Sequence, residues 1–333
     1  MPITNSPTFS DRRFLVDQYI GIDVAKEALM VYDGKREFSC RNTRGCADLK
    51  DHLRQKDLKD IILIFEATGP YSRYLREFCA HQSIRVWIVN PIKSASFTKT
   101  LGNRSKTDTI DAKMLYELRK VIKPEDILVP RIDKEAEQLS LYLSSYELMI
   151  KTRTALSNHL HALAHTPDVP PELVATLTGE VTRIKEGEES FLNQMEHYVE
   201  NNEELRDDYH RLLAIKGIGR VSGLGLLILF RTYPDTSRAQ ITALVGLDPT
   251  RTESGTSVKG RRKISKGGNS TIRKILYFPT LNCIQHNQVV KATYERLIRN
   301  HKAKKLAVIA AMRKLLLIAH AVYKSKTVYC EAR

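Results

Sequence analysis

The sequence predicts an α/β domain followed by a mainly α-helical remainder, and three observations carry that prediction. Between residues 18 and 122, short β-branched apolar runs alternate with helical spacings. After Lys123-Pro124 the strand signals stop, and Glu, Leu, Lys and Gln dominate two long stretches. From Leu212 onward come a glycine turn, a segment rich in Gly, Ser, Thr, Lys and Arg, and further helical spacings. The expected parts are a mixed-sheet domain over 18–123, a long helical pair over 133–205 and a mainly helical C-terminal domain over 206–326.

In order, Gln18–Val24, Leu29–Tyr32 and Arg36–Arg41 read as three consecutive strands, with Asp33-Gly34 in one of the turns. A helical pattern covers Cys46–Arg54, and Ile61–Phe65 reads as a buried strand. A helix follows over Tyr71–His81, after Pro70, and a strand over Val86–Val89 stops at Asn90-Pro91. Thr107–Val121 reads as a helix with Thr107 as N-cap. Three strands and then strand–helix alternation give a mixed sheet covered by helices. Residues 133–165 and 172–213 read as two long antiparallel helices broken around Pro167, Pro170 and Pro171, a pair suited to holding a second copy. Two more helices are expected near Thr271–Asn287 and Lys304–Tyr323, with 249–270 irregular between the glycine turn and the first of them.

A chain of 333 residues with a formal net charge of +15 suits a polyanionic partner. The five cysteines are odd in number and none forms a Cys-x-x-Cys pair, which excludes a disulfide framework and a structural zinc. No apolar run is expected to reach membrane-spanning length, and residues 1–17 lack the apolar centre of a signal peptide. A reducing, cytoplasmic setting and no membrane partner are the expectation.

Four carboxylates carry the chemical signal. Asp23 and Glu66 each close an apolar, β-branched run, where a buried strand surfaces. Asp108 and Asp111 are three apart in the helix over 107–121, so they share a face. Four carboxylates converging on one point repel unless a cation neutralises them, and an oxygen-only donor set suits Mg²⁺ or Mn²⁺.

The C-terminal part holds the cationic motifs. Ile215-Lys216-Gly217-Ile218-Gly219 follows a helical stretch rather than a strand, so it is no dinucleotide loop. It fits a helix-hairpin-helix whose turn amides hold one phosphate. Residues 259–274 carry seven basic residues and no acid: Lys259, Arg261, Arg262, Lys263, Lys266, Arg273 and Lys274. Interleaved glycines let such a loop approach phosphates closely. Just upstream, beside Arg251, stand Thr252, Ser254, Thr256 and Ser257, any of which is a candidate nucleophile toward phosphorus once a base or metal activates it. His159, His161 and His165 point in different directions on a helix and read as surface residues. Tyr71, Arg73 and Tyr74 either flank the carboxylate site or simply open a helix.

Tyr-Ile-Gly-Ile-Asp23, Glu66-Ala-Thr-Gly-Pro-Tyr, Val-Asn-Pro and Lys-Thr-Asp108-Thr-Ile-Asp111-Ala occur in the first half. Ile-Lys-Gly-Ile-Gly, Ala-Leu-Val-Gly-Leu-Asp-Pro, Glu-Ser254-Gly-Thr-Ser and Ser-Lys266-Gly-Gly-Asn occur in the second. This ordered series resembles the DEDD transposases of the insertion-sequence-110 family, which include Piv-type invertases and bridge-RNA-guided recombinases. The resemblance implies a RuvC-like, ribonuclease-H-type domain with Asp23, Glu66, Asp108 and Asp111 as metal ligands. It further implies a coiled-coil-like helical insertion for oligomerisation and a transposase domain whose nucleophile is Ser254. The implied reaction links serine covalently to cleaved donor or target DNA at a composite site between subunits of a dimer or tetramer, guided by a non-coding bridge RNA. Two other activities use the same residues: a RuvC-like nuclease or resolvase that activates water, and a non-catalytic nucleic-acid-binding protein.

Overall fold

The computed structural model describes residues 18–54, 56–66, 69–91, 94, 97, 108–250, 253–254, 258–259 and 263–330. Thr107 and residues 1–17 lie outside them. The chain divides into two compact units, Met1–Ile132 and Asp133–Arg333.

The first unit is built on strands β1 (Gln18–Val24), β2 (Ala28–Tyr32), β3 (Glu37–Arg41), β4 (Ile61–Glu66) and β5 (Arg85–Val89). They form one mixed sheet in the order β3-β2-β1-β4-β5. β1 and β2, and β2 and β3, pair antiparallel, as short turns allow. β1 and β4, and β4 and β5, pair parallel, and helical crossovers supply the connections. Strand alternation sorts the side chains onto two faces. Ile20, Ile22, Leu63 and Phe65 form one core with Leu49 and Leu53 of α1 (Ala47–Leu53) and Leu75 and Phe78 of α2 (Arg73–His81). Ile62, Ile64, Trp87 and Val89 face the other way, against Leu115 of α3 (Asp108–Glu117) and Leu118 just beyond it. Each such buried side chain contributes about 1.5–3 kcal/mol. A 3₁₀ turn over Gly69–Ser72 precedes α2, so that helix starts two residues later than its sequence pattern predicts.

The second unit is helical: α4 (Lys134–Leu163), α5 (Pro171–Glu200), α6 (Glu203–Leu213), α7 (Arg220–Thr232), α8 (Arg238–Val245), α9 (Ser270–His286), α10 (Gln288–Arg299) and α11 (Lys304–Ser325). Arg153 of α4 meets Glu188 of α5 at 2.6 Å, and Tyr142 meets Phe191 at 6.2 Å between ring centres. Contacts that descend one helix as they climb the other make the pair antiparallel. Leu139, Leu143, Leu192, Met195 and Val199 join the core that α6 to α11 share, whereas Leu148, Leu173 and Val174 farther along the pair are exposed.

Four sequence expectations change here. The helix expected over 172–213 is two, because Asn202 breaks it and caps the second with its side chain on the Leu205 amide at 3.2 Å. α8 and α10 were not foreseen: α8 is short and capped by Ser237, and α10 starts two residues after α9 ends. Segment 249–270 carries strands where irregular chain is expected. Within it Pro249–Thr250 pairs with Lys263–Ile264, and Glu253–Ser254 pairs with Val258–Lys259. Finally, α11 is long and apolar enough by length and composition to cross a membrane, contrary to the expectation. Its Ala311, Met312, Leu315, Leu316 and Ala319 are buried in the shared core, so its apolar character is accounted for by packing.

Two predictions arise from this packing. None of the five cysteines is in a disulfide; Cys40, Cys46, Cys79 and Cys283 are buried and Cys330 is exposed. Burial pushes the Cys40 thiol up to about 11 and Cys46 up to about 12. One thiol, Cys330, is therefore expected to react quickly with an aromatic disulfide reagent in the native protein, and fast loss of two or more would contradict the packing. His320 is buried beside Phe230 and within 3.4 Å of Thr236 Oγ1, and burial first, then Lys324 and Arg238, holds its pKa below the usual 6.5. A depressed imidazole is neutral in the fold, so the unfolded state binds more protons just below pH 6.5. Its contribution to stability is present above that value and declines as pH falls through the window beneath it. His320→Gln should flatten the fall in Tm between pH 7 and 5, as read by thermal denaturation.

Candidate active site and nucleic-acid interface

The carboxylates sit where the sheet topology converges. Ile22 of β1 is in register with Phe65 of β4, so Asp23 and Glu66 are the next residues on adjacent parallel strands. Both lie near the C-terminal ends of those strands, the end at which open α/β sheets place their ligands. Alternation puts Tyr19, Gly21 and Asp23 on one face with Ile62, Ile64 and Glu66, the face that α3 covers. Helix and strand touch closely there: a Cβ on Gly21 would stand 2.2 Å from the Ala112 carbonyl oxygen and 2.5 Å from the Tyr116 amide nitrogen. Along α3 the stripe of Leu115 and Leu118 continues back through positions 111 and 108 at helical spacing. Since Tyr19 packs with Leu115 and Leu118 and Gly21 with Ala112, the helix runs antiparallel to β1, and its N-terminal turn lies toward the Asp23 end.

Asp23, Glu66 and Asp111 are all half-buried, whereas the side chain of Asp108 lies outside the described residues. The oxygen-only donor chemistry fits a hard divalent cation. Among the described residues, however, no three His, Cys, Asp or Glu side chains are gathered closely enough to hold one. Ser94 donates its hydroxyl to Glu66 Oε1, orienting that carboxylate. Sequence reasoning missed Ser94, because only the turn after β5, where its amide donates to the Asn90 carbonyl at 3.1 Å, brings it to Glu66. The signal available was the Asn90-Pro91 stop with a hydroxyl one helical turn later.

Asn42 was also missed. Its Nδ2 donates to the carbonyls of Ala25 at 2.8 Å and Tyr71 at 2.9 Å. It thereby ties the turn after Asp23 to the segment after Glu66. Its Oδ1 is buried with no hydrogen-bond partner among the described residues.

In the second unit, Lys216, Gly217 and Gly219 join α6 to α7 as a helix–turn–helix corner. Gly217 has φ of 97°, and a Cβ there would stand 2.4 Å from Cys283 Sγ, so both conformation and space call for glycine. Cys283 donates its thiol to the Lys216 carbonyl at 3.1 Å, pinning the turn to α9. Lys216 and Gly219 remain exposed. Arg220, the first residue of α7, donates instead to Glu196 at 2.8 Å and Glu189 at 2.7 Å of α5.

The two short strand pairs around Ser254 are nested in sequence, 249–250 with 263–264 outside 253–254 with 258–259, and Ser254 pairs with Val258 in the inner one. Its backbone and that of Lys259 are described; Arg251, Thr252, Thr256, Ser257, Arg261 and Arg262 lie outside the described residues. After these strands, Ser265–Asn269 folds onto Leu244–Asp248. The Lys266 amide donates to the Gly246 carbonyl at 3.2 Å and the Asn269 amide to the Leu244 carbonyl at 2.7 Å. Arg273 Nη1 bridges the carbonyls of Val245 at 2.8 Å and Gly268 at 2.9 Å, so that nitrogen braces the loop. Lys263 and Lys266 are exposed. The histidines at 159, 161 and 165 are exposed, and His161 and His165 meet only as an edge-on ring pair, 5.1 Å between centres.

Residues 20–166 match a DEDD transposase model of the insertion-sequence-110 type, and residues 209–295 match the model described as the transposase IS116/IS110/IS902 family. Over 323 residues the chain is 28% identical to the pilin gene-inverting proteins of Moraxella lacunata and Moraxella bovis, covering 92% of this chain and 95% of each relative.

Proposed function

The chain belongs to the insertion-sequence-110 family of DEDD transposases, and from that premise we propose that it cuts and rejoins DNA through a covalent link to Ser254. As a transposase it acts on DNA, and its fold is the mixed sheet with helices expected of a RuvC-like domain. The observation that carries the site is the register of β1 and β4, which makes Asp23 and Glu66 neighbours beneath the helix that bears Asp108 and Asp111.

In this reading Asp23, Glu66, Asp108 and Asp111 would hold Mg²⁺ or Mn²⁺. A bound divalent ion would supply Lewis-acid stabilisation of charge developing on the scissile phosphate and ease deprotonation of the attacking hydroxyl. Ser94 keeps Glu66 turned toward that end of the sheet. Ser254 Oγ forms the new bond to phosphorus, the bond to the leaving sugar oxygen breaks, and the serine proton passes to solvent. The phosphoester bond is exchanged rather than hydrolysed, so a second hydroxyl restores the DNA without ATP. Relatives named for inverting a gene favour cutting with rejoining over cutting alone. Lys216, Gly217 and Gly219, with Arg251, Lys259, Arg261, Arg262, Lys263, Lys266 and Arg273, supply phosphate contacts and loop support. The net charge of +15 suits donor DNA, target DNA and a structured non-coding guide RNA together. Two DNA ends and two strands require more than one active serine, hence a dimer or tetramer.

The test is a protein–DNA adduct that survives SDS, formed with element-end DNA, flanking transcript and Mg²⁺. Cleavage with no adduct would replace this reading with a nuclease that activates water.

A further inference from the structure

The first unit contains a cleft of about 480 Å³ that the transfer chemistry above does not use. Its walls include Lys26, Asn42, Arg44, Tyr71, Tyr74 and Glu77. We propose that this cleft seats one unpaired nucleotide of the DNA strand being processed, its base stacked on a tyrosine and its amino edge held by Asn42. The proposal rests on the reading that DNA is handled at the Asp23 and Glu66 strand ends.

Four observations carry it. Tyr71 and Tyr74 are 45% and 42% exposed, although aromatic rings this large gain most from burial. They stand three residues apart where the 3₁₀ turn passes into α2, and both line the cleft. Rings presented this way are the stacking platforms on which single-stranded bases settle. Asn42 supplies the second observation. It is only 7% exposed, both hydrogen bonds of its side-chain amide among the described residues are donations, and its Oδ1 acceptor has no partner among them. An orphan buried acceptor in the wall of a polar cleft costs roughly 1–3 kcal/mol, which a donor brought by a ligand offsets once the amide turns toward the cleft.

Third, the polar walls have the composition of a nucleotide site. Lys26 and Arg44 are exposed cations for the flanking phosphates, while Glu77, 4.0 Å from Arg44, adds a second acceptor. The two acceptors favour a base edge that carries an amino group. Adenine, cytosine and guanine have one; thymine offers a single imino hydrogen between two carbonyls and fits worst. Fourth, the location is right: Lys26 lies three residues past Asp23 and Pro70 four past Glu66. The Asn42 tie between those two segments makes the cleft a continuation of the strand ends. A base within a duplex has its faces stacked and its pairing edge occupied, so the guest has to be unpaired.

The experiment uses the full chain carrying Ser254→Ala, so that no chemistry intervenes and the cleft is read whether or not Ser254 is the nucleophile. A single-stranded deoxyoligonucleotide containing 2-aminopurine is titrated, and both quenching of the base and anisotropy of an end label are followed. Quenching is expected, with dA and dC oligomers bound more tightly than dT. Tyr71→Ala and Tyr74→Ala should each weaken binding roughly ten- to hundred-fold, the range found for loss of one stacked base. Tyr71→Phe and Tyr74→Phe should restore it, which a purely structural role for the hydroxyls would not produce. Lys266→Gln, in the basic loop, should weaken all oligomers alike and leave base preference unchanged. An unquenched 2-aminopurine, alanine variants that bind like the parent, or binding confined to the matching ribo-oligomer would overturn the proposal.

Discussion

A Ser254→Ala protein is expected to bind element-end DNA within about two-fold of wild type, as removal of a single hydroxyl should, and to form no SDS-resistant adduct at all. The hydroxyl is the only atom group removed, and no other step in the proposed transfer requires it. Asp23→Asn should also leave binding near wild type while lowering both strand cleavage and adduct formation. Metal assistance in phosphoryl transfer is worth several kcal/mol, so the loss should be roughly 10³-fold or greater. Removing divalent cations with a chelator should do the same to wild type, with Mg²⁺ or Mn²⁺ restoring it. The variants separate two roles, since one removes the nucleophile and the other removes a ligand. An adduct in the Ser254→Ala protein would move the nucleophile to another hydroxyl of the loop. Cleavage that survives chelation would remove the metal from the mechanism. In wild type the adduct should also show whether RNA is required, by omission of the transcript.

Much of this candidate site was legible because its signals are local. Asp23 and Glu66 each follow an unbroken apolar run, and charge at the end of a buried strand is costly unless it has work to do. Asp108 and Asp111 are separated by three residues on a helix, a spacing that needs no tertiary information. The strand order was not local in the same way, but three consecutive strands followed by crossovers leave few arrangements open. What escaped notice depends on distant parts of the chain. Ser94 reaches Glu66 across 28 residues, and Asn42 reaches Tyr71 across 29. Neither serine nor asparagine in a polar connection distinguishes itself from a turn residue. The pairing of 249–250 with 263–264 was hidden for another reason: two-residue strands are too short to show alternation. The bracing of the basic loop by Arg273 was invisible because a run of cations looks alike whether it faces phosphate or carbonyl oxygen.

Gly21→Ala is expected to be the most damaging single-methyl change in the first unit. The new Cβ would meet backbone, 2.2 Å from the Ala112 carbonyl oxygen and 2.5 Å from the Tyr116 nitrogen, so no rotamer change relieves it. Either β1 or α3 has to shift. Overpacking a tight contact costs about 1–3 kcal/mol and occasionally more, and a clash with two backbone atoms belongs at the upper end. A fall in Tm on the order of 10 °C follows. The consequence for function exceeds the consequence for stability, because α3 is the element that carries Asp111 and Asp108 over the sheet. In the proposed mechanism, displacing it by even about 1 Å would cost on the order of 10² in rate, as misplaced catalytic groups do. Gly179 makes the contrast: it lies in α5, and a Cβ there meets nothing within 4 Å. Gly179→Ala should be neutral or stabilise by up to about 1 kcal/mol through helix propensity. Hydrogen exchange tests the mechanism directly. In Gly21→Ala the amides of α3 should exchange faster while those of α9 in the second unit keep their protection. Unchanged protection across α3, with activity retained, would mean that the helix does not depend on this contact to hold its carboxylates in place.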